Sequence, residues 1–370
     1  MSARFLTVVL ERAFNMRDGF GREIDYMRIS VIDSCNLNCY YCNPCDNNEH
    51  CHALNILSVK EVLCIVRAAT RLGIKHFRLT GGEPLLHPQL DEMVLQIKKI
   101  PGVSSVSLTT NAVLLAQHAK WLKEAGIDSI NVSLDTIDAS EYERITKKPL
   151  LEEVKHGINA AIECGIRVKI NVVLTQQTDV VALTRYVAKK GTDIRFIEMM
   201  PVGEGHTNGV EPYKKVIGTL SKLYGEPCRI NTEKTKEINS GNDKRKIPDN
   251  GPAEYYIFPE LGIRVGLIQA IHGKFCATCN RIRVTADGRL MPCLGSSVTM
   301  DLVPDSWDFA DDVEKDFAIV RALRAAIKAK PRCHNFNDNA VTYTKTTETK
   351  TTEIEAAEVN AARNMSRIGG

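Results

Sequence analysis

Residues 26–42 read Tyr26-Met27-Arg28-Ile29-Ser30-Val31-Ile32-Asp33-Ser34-Cys35-Asn36-Leu37-Asn38-Cys39-Tyr40-Tyr41-Cys42. The apolar run over Tyr26–Ile32 predicts a strand. Three cysteines at spacing C-x3-C-x2-C follow it at once. Three thiolates on one short loop can each take one iron of a cubane cluster, leaving the fourth iron without a protein ligand, whereas simple electron carriers supply four cysteines. With one further ligand the same loop would hold a structural zinc. Either way it is a metal centre at the end of a strand.

Outward from this stretch a unit recurs in which a helical segment ends at glycine and a short β-branched run follows. The runs are Gly73 to Thr80, Gly102 to Thr109, Gly126 to Leu134, Gly165 to Val173 and Gly191 to Glu198. Glycine just past a helix takes the left-handed conformation without a Cβ penalty, and Ile/Val-rich runs suit buried parallel strands. Ser58-Val59-Lys60-Glu61 has the S-x-x-E form of a capping box ahead of a helical pattern from Val62 to Leu72. With Tyr26–Ile32, the runs make six strand–helix units, so the fold class is α/β with a parallel sheet and helices outside. Six units fall short of the eight of a closed TIM-like barrel. A partial, six-unit βα barrel fits, with a doubly wound sheet as the alternative. In both, functional groups gather at the C-terminal ends of the strands. The Cys35–Cys42 loop, Thr80-Gly81-Gly82-Glu83-Pro84, Thr109-Thr110-Asn111, Ser133-Leu134-Asp135 and Glu198-Met199-Met200 all fall there.

The 370 residues allow one large domain with an extension. A charged content of 25% and a net charge of +3 call for neither a nucleic-acid nor a membrane surface. The apolar run Phe5–Leu10 is followed directly by Glu11 and Arg12, so neither a cleaved leader nor a membrane span is expected. The expected location is the cytoplasm, where twelve cysteines point to metal or redox work rather than disulfides.

Beyond Gly203 the pattern changes. Residues 231–251 are polar and read as an exposed loop. A second cysteine set follows, Cys276, Cys279 and Cys293, spaced C-x2-C-x13-C. Zinc stays open here too, with His272, Cys228 or Cys333 as a fourth ligand. Asp287-Gly288 predicts a hairpin turn. Arg281 and Arg283 alternate with Ile282 and Val284, so on a strand both guanidiniums face one side and form a fork pair suited to phosphate. The stretch Thr342–Glu353 is of low complexity, and the chain ends in Gly369-Gly370, either a frayed terminus or a tail slim enough to thread a narrow pocket.

The first cysteine motif followed by Gly81-Gly82-Glu83-Pro84 resembles the radical S-adenosylmethionine enzymes. Within them, Gly21-Arg22, Arg28-Ile29-Ser30, Leu108-Thr109-Thr110-Asn111, Asn131–Asp135, Arg195–Glu198, the Cys276–Cys293 motif and the terminal Gly-Gly resemble the branch that cyclises GTP in the first step of molybdenum cofactor biosynthesis. The likeness runs from about residue 20 to residue 295 and returns at the tail.

That resemblance implies a radical SAM partial barrel over 1–225, an extension over 226–330 carrying a second iron–sulfur cluster and binding GTP, and a tail over 331–370 reaching the active site. It implies that Cys35, Cys39 and Cys42 hold one [4Fe–4S] cluster and Cys276, Cys279 and Cys293 another. Tyr41, Gly82, Ser133 and Met200 fall at positions lining S-adenosyl-L-methionine. Arg28, Arg78, Thr109, Lys169, Arg281, Ile282 and Arg283 fall at GTP-contacting positions, with Arg195 a further candidate. Arg281, Arg283, Gly369 and Gly370 fall at positions with catalytic roles. The implied chemistry is reductive cleavage of the sulfonium, hydrogen abstraction from C3′ of GTP, and closure onto C8. The implied partners are GTP, an electron donor and a downstream cyclic pyranopterin monophosphate synthase, with the chain a monomer or homodimer. Ser34, Cys45, Ala112 and the Thr-rich tail depart from the family pattern. They leave room for a paralogue acting on another nucleotide or a peptide. A non-enzymatic electron carrier would instead need closed four-ligand sites.

Overall fold

The computed structural model describes residues 16–42, 55–202, 210–230, 251–296, 298–302, 312–334 and 336. The Phe5–Leu10 run, Cys45, Cys51, residues 231–250, the Thr-rich stretch and Gly369-Gly370 lie outside the described residues.

The strands are β1 (Tyr26–Ser30), β2 (His76–Thr80), β3 (Ser105–Thr110), β4 (Ser129–Ser133), β5 (Val168–Val173), β6 (Asp193–Ile197), β7 (Cys228–Ile230), β8 (Glu254–Ile257), β9 (Arg264–Ile268), β10 (Arg281–Val284), β11 (Arg289–Met291) and β12 (Met300–Asp301). The helices are α1 (Val59–Arg71), α2 (Leu90–Lys98), α3 (Leu115–Glu124), α4 (Ala139–Thr146), α5 (Leu151–Glu163), α6 (Val180–Lys189), α7 (Gly218–Tyr224) and α8 (Asp312–Lys328). Ser58 and Glu61 close the expected capping box on α1. Positive φ at Gly73 (85°) and Gly126 (88°) turns the chain from helix into the next strand.

All the described strands belong to one sheet in the order β12-β11-β10-β1-β2-β3-β4-β5-β6-β9-β8-β7. The six predicted βα units supply β1 to β6, all parallel. Two further parallel strands come from beyond residue 226. β10 pairs with β1 at one edge and β9 with β6 at the other. Antiparallel strands complete both edges, and the order is linear, so the described strands form an open barrel. The expected hairpin joins β10 to β11 through Gly288, which has φ 78°.

The strands alternate strictly. Met27, Ile29, Phe77, Leu79, Ile130 and Val132 are fully buried beneath the outer helices. Tyr26, Arg28, Arg78, Asn131, Lys169 and Arg195 line the inner face. The apolar core therefore sits between sheet and helices, and many polar and charged side chains point into the barrel interior. Large charged side chains cannot interdigitate as Val and Ile do in a filled barrel, and a cavity of about 610 Å³ remains.

One close approach fixes the top of this cavity. A Cβ on Gly82 would stand 2.1 Å from the Ser34 carbonyl oxygen, and one on Gly81 would stand 2.3 Å from that of Ile32. The chain uses the space for two backbone bonds, Gly82 N–H to Ile32 O (2.7 Å) and Glu83 N–H to Ser34 O (2.8 Å). These clamp the segment that leads into Cys35. Gly82→Ala is expected to cost about 2–3 kcal/mol and to weaken iron binding at the first triplet. Gly218→Ala, where nothing lies within 4 Å and φ is −61°, should be neutral or gain up to about 1 kcal/mol. Denaturant midpoints and iron content check the pair, and equal stabilities would contradict the packing argument.

Candidate active site

The first cysteine loop leaves β1 at its C-terminal end and lies against the end of α4. Asn38 and Tyr40 donate backbone N–H groups to Thr146 (3.0 Å) and Ile145 (3.1 Å). Glu83, only 1% exposed, organises the neighbouring loops. Its carboxylate accepts from Leu85 N–H (3.0 Å), the Thr110 hydroxyl (2.6 Å) and Asn111 N–H (2.7 Å). Burial raises its pKa to about 7, against the pull of those three bonds. Held in this way, Asn111 donates its amide to Asn36 Oδ1 (2.7 Å) and reaches Cys35 Sγ at 3.8 Å. Tyr41 donates its hydroxyl to Asp135 (2.5 Å), whose other oxygen accepts from Val173 N–H (2.8 Å). Burial lifts Asp135 to about 6. Burial also lifts the thiols, Cys35 to about 11 with Glu83 adding to it, and Cys42 to about 12 with Cys35 and Asp135 adding to it. Iron offsets that penalty, because a coordinating thiol is deprotonated by its metal.

The second triplet stands at the other end of the barrel. Cys276 and Cys279 precede β10, which runs parallel to β1, so they lie at the N-terminal ends of the strands. Cys293 follows β11, which returns antiparallel to the same end. Its surroundings differ in sign. Burial pushes Cys279 up, but Lys330 and Arg281 outweigh it and leave the thiol below its usual value. All six cysteines border the one cavity. Among the described residues, no three His, Cys, Asp or Glu side chains converge on a single ion. A cubane instead spreads its thiolates over separate irons, so two soft, three-thiolate donor sets facing one cavity fit two open clusters.

Between the triplets lies a layer of cations. The register sets Arg28 beside both Arg78 and Arg283, and Tyr26 beside Arg281. Burial first, then Arg283, holds Arg28 well below its usual pKa, and burial first, then Arg281, brings Arg283 to about 10. Arginine does not surrender its proton under ordinary conditions, so this buried layer stays cationic and suits a bound polyanion. Tyr26 sits among these cations. Arg78 Nε donates to the Tyr26 hydroxyl (2.5 Å), and the Arg281 guanidinium lies 5.5 Å from its ring centre. Burial alone would raise this phenol; Arg78, Arg28 and Arg281 bring it down to about 8. Arg195 donates to Asn171 (2.9 Å) and leaves one terminal nitrogen buried without a hydrogen-bond partner. Lys169 lies 5.9 Å from the Tyr255 ring centre.

Tyr41, Gly82, Ser133, Met200, Arg28, Arg78, Thr109, Lys169, Arg195, Arg281 and Arg283 all line the cavity. Ile282 does not. It is 1% exposed and packs in the apolar core, so only its backbone is left for a ligand. Tyr26 and Lys330 also line the cavity and did not stand out in the sequence. The period-two alternation of Tyr26, Arg28 and Ser30 marks Tyr26 as inward-facing, whereas no local pattern marks Lys330.

The Radical SAM superfamily model matches residues 29–180, and the Molybdenum Cofactor Synthesis C model matches residues 192–336. GTP 3′,8-cyclase of Clostridium perfringens (strain SM101 / Type A) is 35% identical over 324 residues, covering 87% of this chain and 95% of that protein. GTP 3′,8-cyclase of Peptoclostridium acidaminophilum is 37% identical over 328 residues, covering 87% and 94%. Among solved structures, Streptococcus suis SuiB bound to S-adenosylmethionine aligns with a TM-score of 0.54 at 14% identity, covering 82% of this chain and 68% of that one, a likeness of fold alone. The open barrel, the two cysteine triplets and these relatives agree: the chain belongs to the GTP 3′,8-cyclase family of the radical S-adenosylmethionine superfamily.

Proposed function

We propose that the chain converts GTP into 3′,8-cyclo-7,8-dihydro-GTP, the first step of molybdenum cofactor biosynthesis, using two [4Fe–4S] clusters and S-adenosyl-L-methionine. The observation that carries this reading is one cavity with an open cysteine triplet at each end and a layer of buried cations between them. Its volume of about 610 Å³ lies within the range of small-molecule sites.

When bound, the cofactors supply an electron for sulfonium cleavage and a carbon radical able to take hydrogen from the ribose. The chain's own residues then have to bind, orient and exclude water. Cys35, Cys39 and Cys42 serve one cluster, and Cys276, Cys279 and Cys293 the other. Tyr41, Gly82, Ser133 and Met200 serve the sulfonium cofactor, with Tyr41 steadied by Asp135. Arg28, Arg78, Thr109, Lys169, Arg281, Arg283 and the Ile282 backbone serve GTP. A buried set of guanidiniums gives charge-assisted, geometrically fixed contacts to a triphosphate. Fixing the ribose by its phosphates holds C3′ in one place, which turns a bimolecular encounter into an oriented one. Gly369 and Gly370, which lie outside the described residues, are the remaining catalytic positions in this reading. The proposed setting is the cytoplasm, with an electron donor, a downstream cyclic pyranopterin monophosphate synthase, and a monomeric or homodimeric chain that binds no nucleic acid. Among the described residues no helix is long and apolar enough to cross a membrane.

Anaerobic incubation with GTP, dithionite and S-adenosylmethionine tests the reading. Arg281→Ala or Arg283→Ala should keep about eight irons and lose about 100-fold or more in kcat/KM, the scale of a charge-assisted bond of roughly 3 kcal/mol. Near-wild-type turnover in both variants would contradict the assignment.

A second test reads the cations through Tyr26. Its phenolate absorbance should appear near pH 8 in the ligand-free chain, vanish in Tyr26→Phe, and move upward when GTP engages the same arginines. Because the folded value lies below the usual phenol value near 10, the associated stability is complete above that value. It is lost as pH falls through about 8. A step that GTP leaves in place would show that the triphosphate binds elsewhere.

A further inference from the structure

Lys330 lies beyond the end of α8 and is 3% exposed. Its Nζ donates to the Arg281 carbonyl (2.7 Å) and the Pro292 carbonyl (2.8 Å), and Lys330 lines the cavity together with Cys279 and Cys293. Arg281 follows Cys279 by two residues, and Pro292 immediately precedes Cys293. One ammonium therefore braces both arms of the second cysteine motif. Arg22 holds the remaining cysteine of the motif, Cys276, through its backbone. Its guanidinium donates to the Cys276 carbonyl (2.7 Å) and to the carbonyls of Pro331 (2.6 Å) and Arg332 (3.1 Å), while Asp18 fixes its Nε at 2.5 Å. The segment 330–332 is thus tied to the second triplet through two buried cations.

We propose that Lys330 is a positioning residue for the second [4Fe–4S] cluster, bracing its loop through two carbonyls and offsetting its negative charge. This rests on the reading that the second triplet holds such a cluster. A buried anionic group is retained only when it is paired. The first triplet has carboxylates beside it instead: Glu83 holds Asn111, whose amide reaches Cys35 Sγ at 3.8 Å, and Asp135 accepts from Tyr41, the residue before Cys42. Reduction adds one negative charge to a cluster, so a fixed cation beside the second triplet favours its reduced form. The chain thereby makes its two clusters electrostatically unequal.

Three full-length variants separate bracing from charge. Lys330→Gln keeps amide donors and removes the charge. Lys330→Arg keeps the charge, and Lys330→Met removes both. Each is reconstituted without air, iron is counted, and the second cluster is followed by an EPR-monitored redox titration in a background with Cys35, Cys39 and Cys42 replaced by Ala. Lys330→Gln is expected to retain about four irons in that background. Its reduction equilibrium should fall at least tenfold, which for one electron is about 59 mV. Lys330→Arg should stay near wild type, and Lys330→Met should lose cluster iron. If Gln and Arg titrate together at the wild-type potential, the charge role is overturned. If Met holds its iron fully, the bracing role is overturned. If Gln does not fold, Arg against Met still decides, since equal iron and equal potential in those two would defeat the proposal. A Lys330-intact background protein that takes up no second cluster would instead overturn the cofactor reading on which this rests.

Discussion

The parallel pairing of Tyr26–Ser30 with Arg281–Val284 joins two stretches far apart in the chain, and the site depends on its register. It sets Arg28 beside Arg283 and Tyr26 beside Arg281, and it carries the Cys276–Cys279 loop to the end of the barrel opposite Cys35. A slip of one residue would turn Arg281 and Arg283 outward into the apolar layer and bring Ile282 inward, because side chains alternate with period two. Such a slip would bury two guanidiniums among Met27, Ile29 and the helices, at a cost of several kcal/mol for each ion left unpaired. The register that assembles the site is therefore also the one that the hydrophobic layer enforces.

The polar inner face makes the barrel hollow, and the hollow is where its charges can be used. Cations face one another across the middle layer, where Arg78 donates to the Tyr26 hydroxyl and the Leu108 carbonyl. The ends differ. Acidic groups crowd the first triplet, and basic groups crowd the second. This gradient runs along the strands, so a ligand spanning the cavity would meet different fields at its two ends. Water exclusion matters for the same reason, since each charge acts more strongly where solvent is absent.

Much of the fold was legible because it rests on local signals. The S-x-x-E box at Ser58, the glycines that end the helical segments and the Asp287-Gly288 turn all appear in the structure as their residue chemistry dictates. The two additional parallel strands were not legible, since Arg264–Ile268 and Arg281–Val284 reach their partners only through long-range pairing. The hollow interior could have been read. Tyr26-Met27-Arg28-Ile29-Ser30 and His76-Phe77-Arg78-Leu79-Thr80 alternate polar and apolar residues, which a strand buried in apolar surroundings on both faces would not do. Lys330 could not, because nothing in its neighbourhood marks a lysine that bonds carbonyls from two distant segments. Ala112, noted as a departure from the family pattern, has φ 66° and is fully buried. The usual glycine would adopt that backbone without strain.

The central claim is that two cysteine triplets, each one ligand short, face one cavity from opposite ends. Iron and acid-labile sulfide counted on three anaerobically reconstituted full-length proteins test it most directly: the native chain, one with Cys35, Cys39 and Cys42 replaced by Ala, and one with Cys276, Cys279 and Cys293 replaced by Ala. The account predicts about eight irons in the first and about four in each of the others. Zinc at the second triplet, or about four irons in the native chain that survive loss of either triplet, would contradict it.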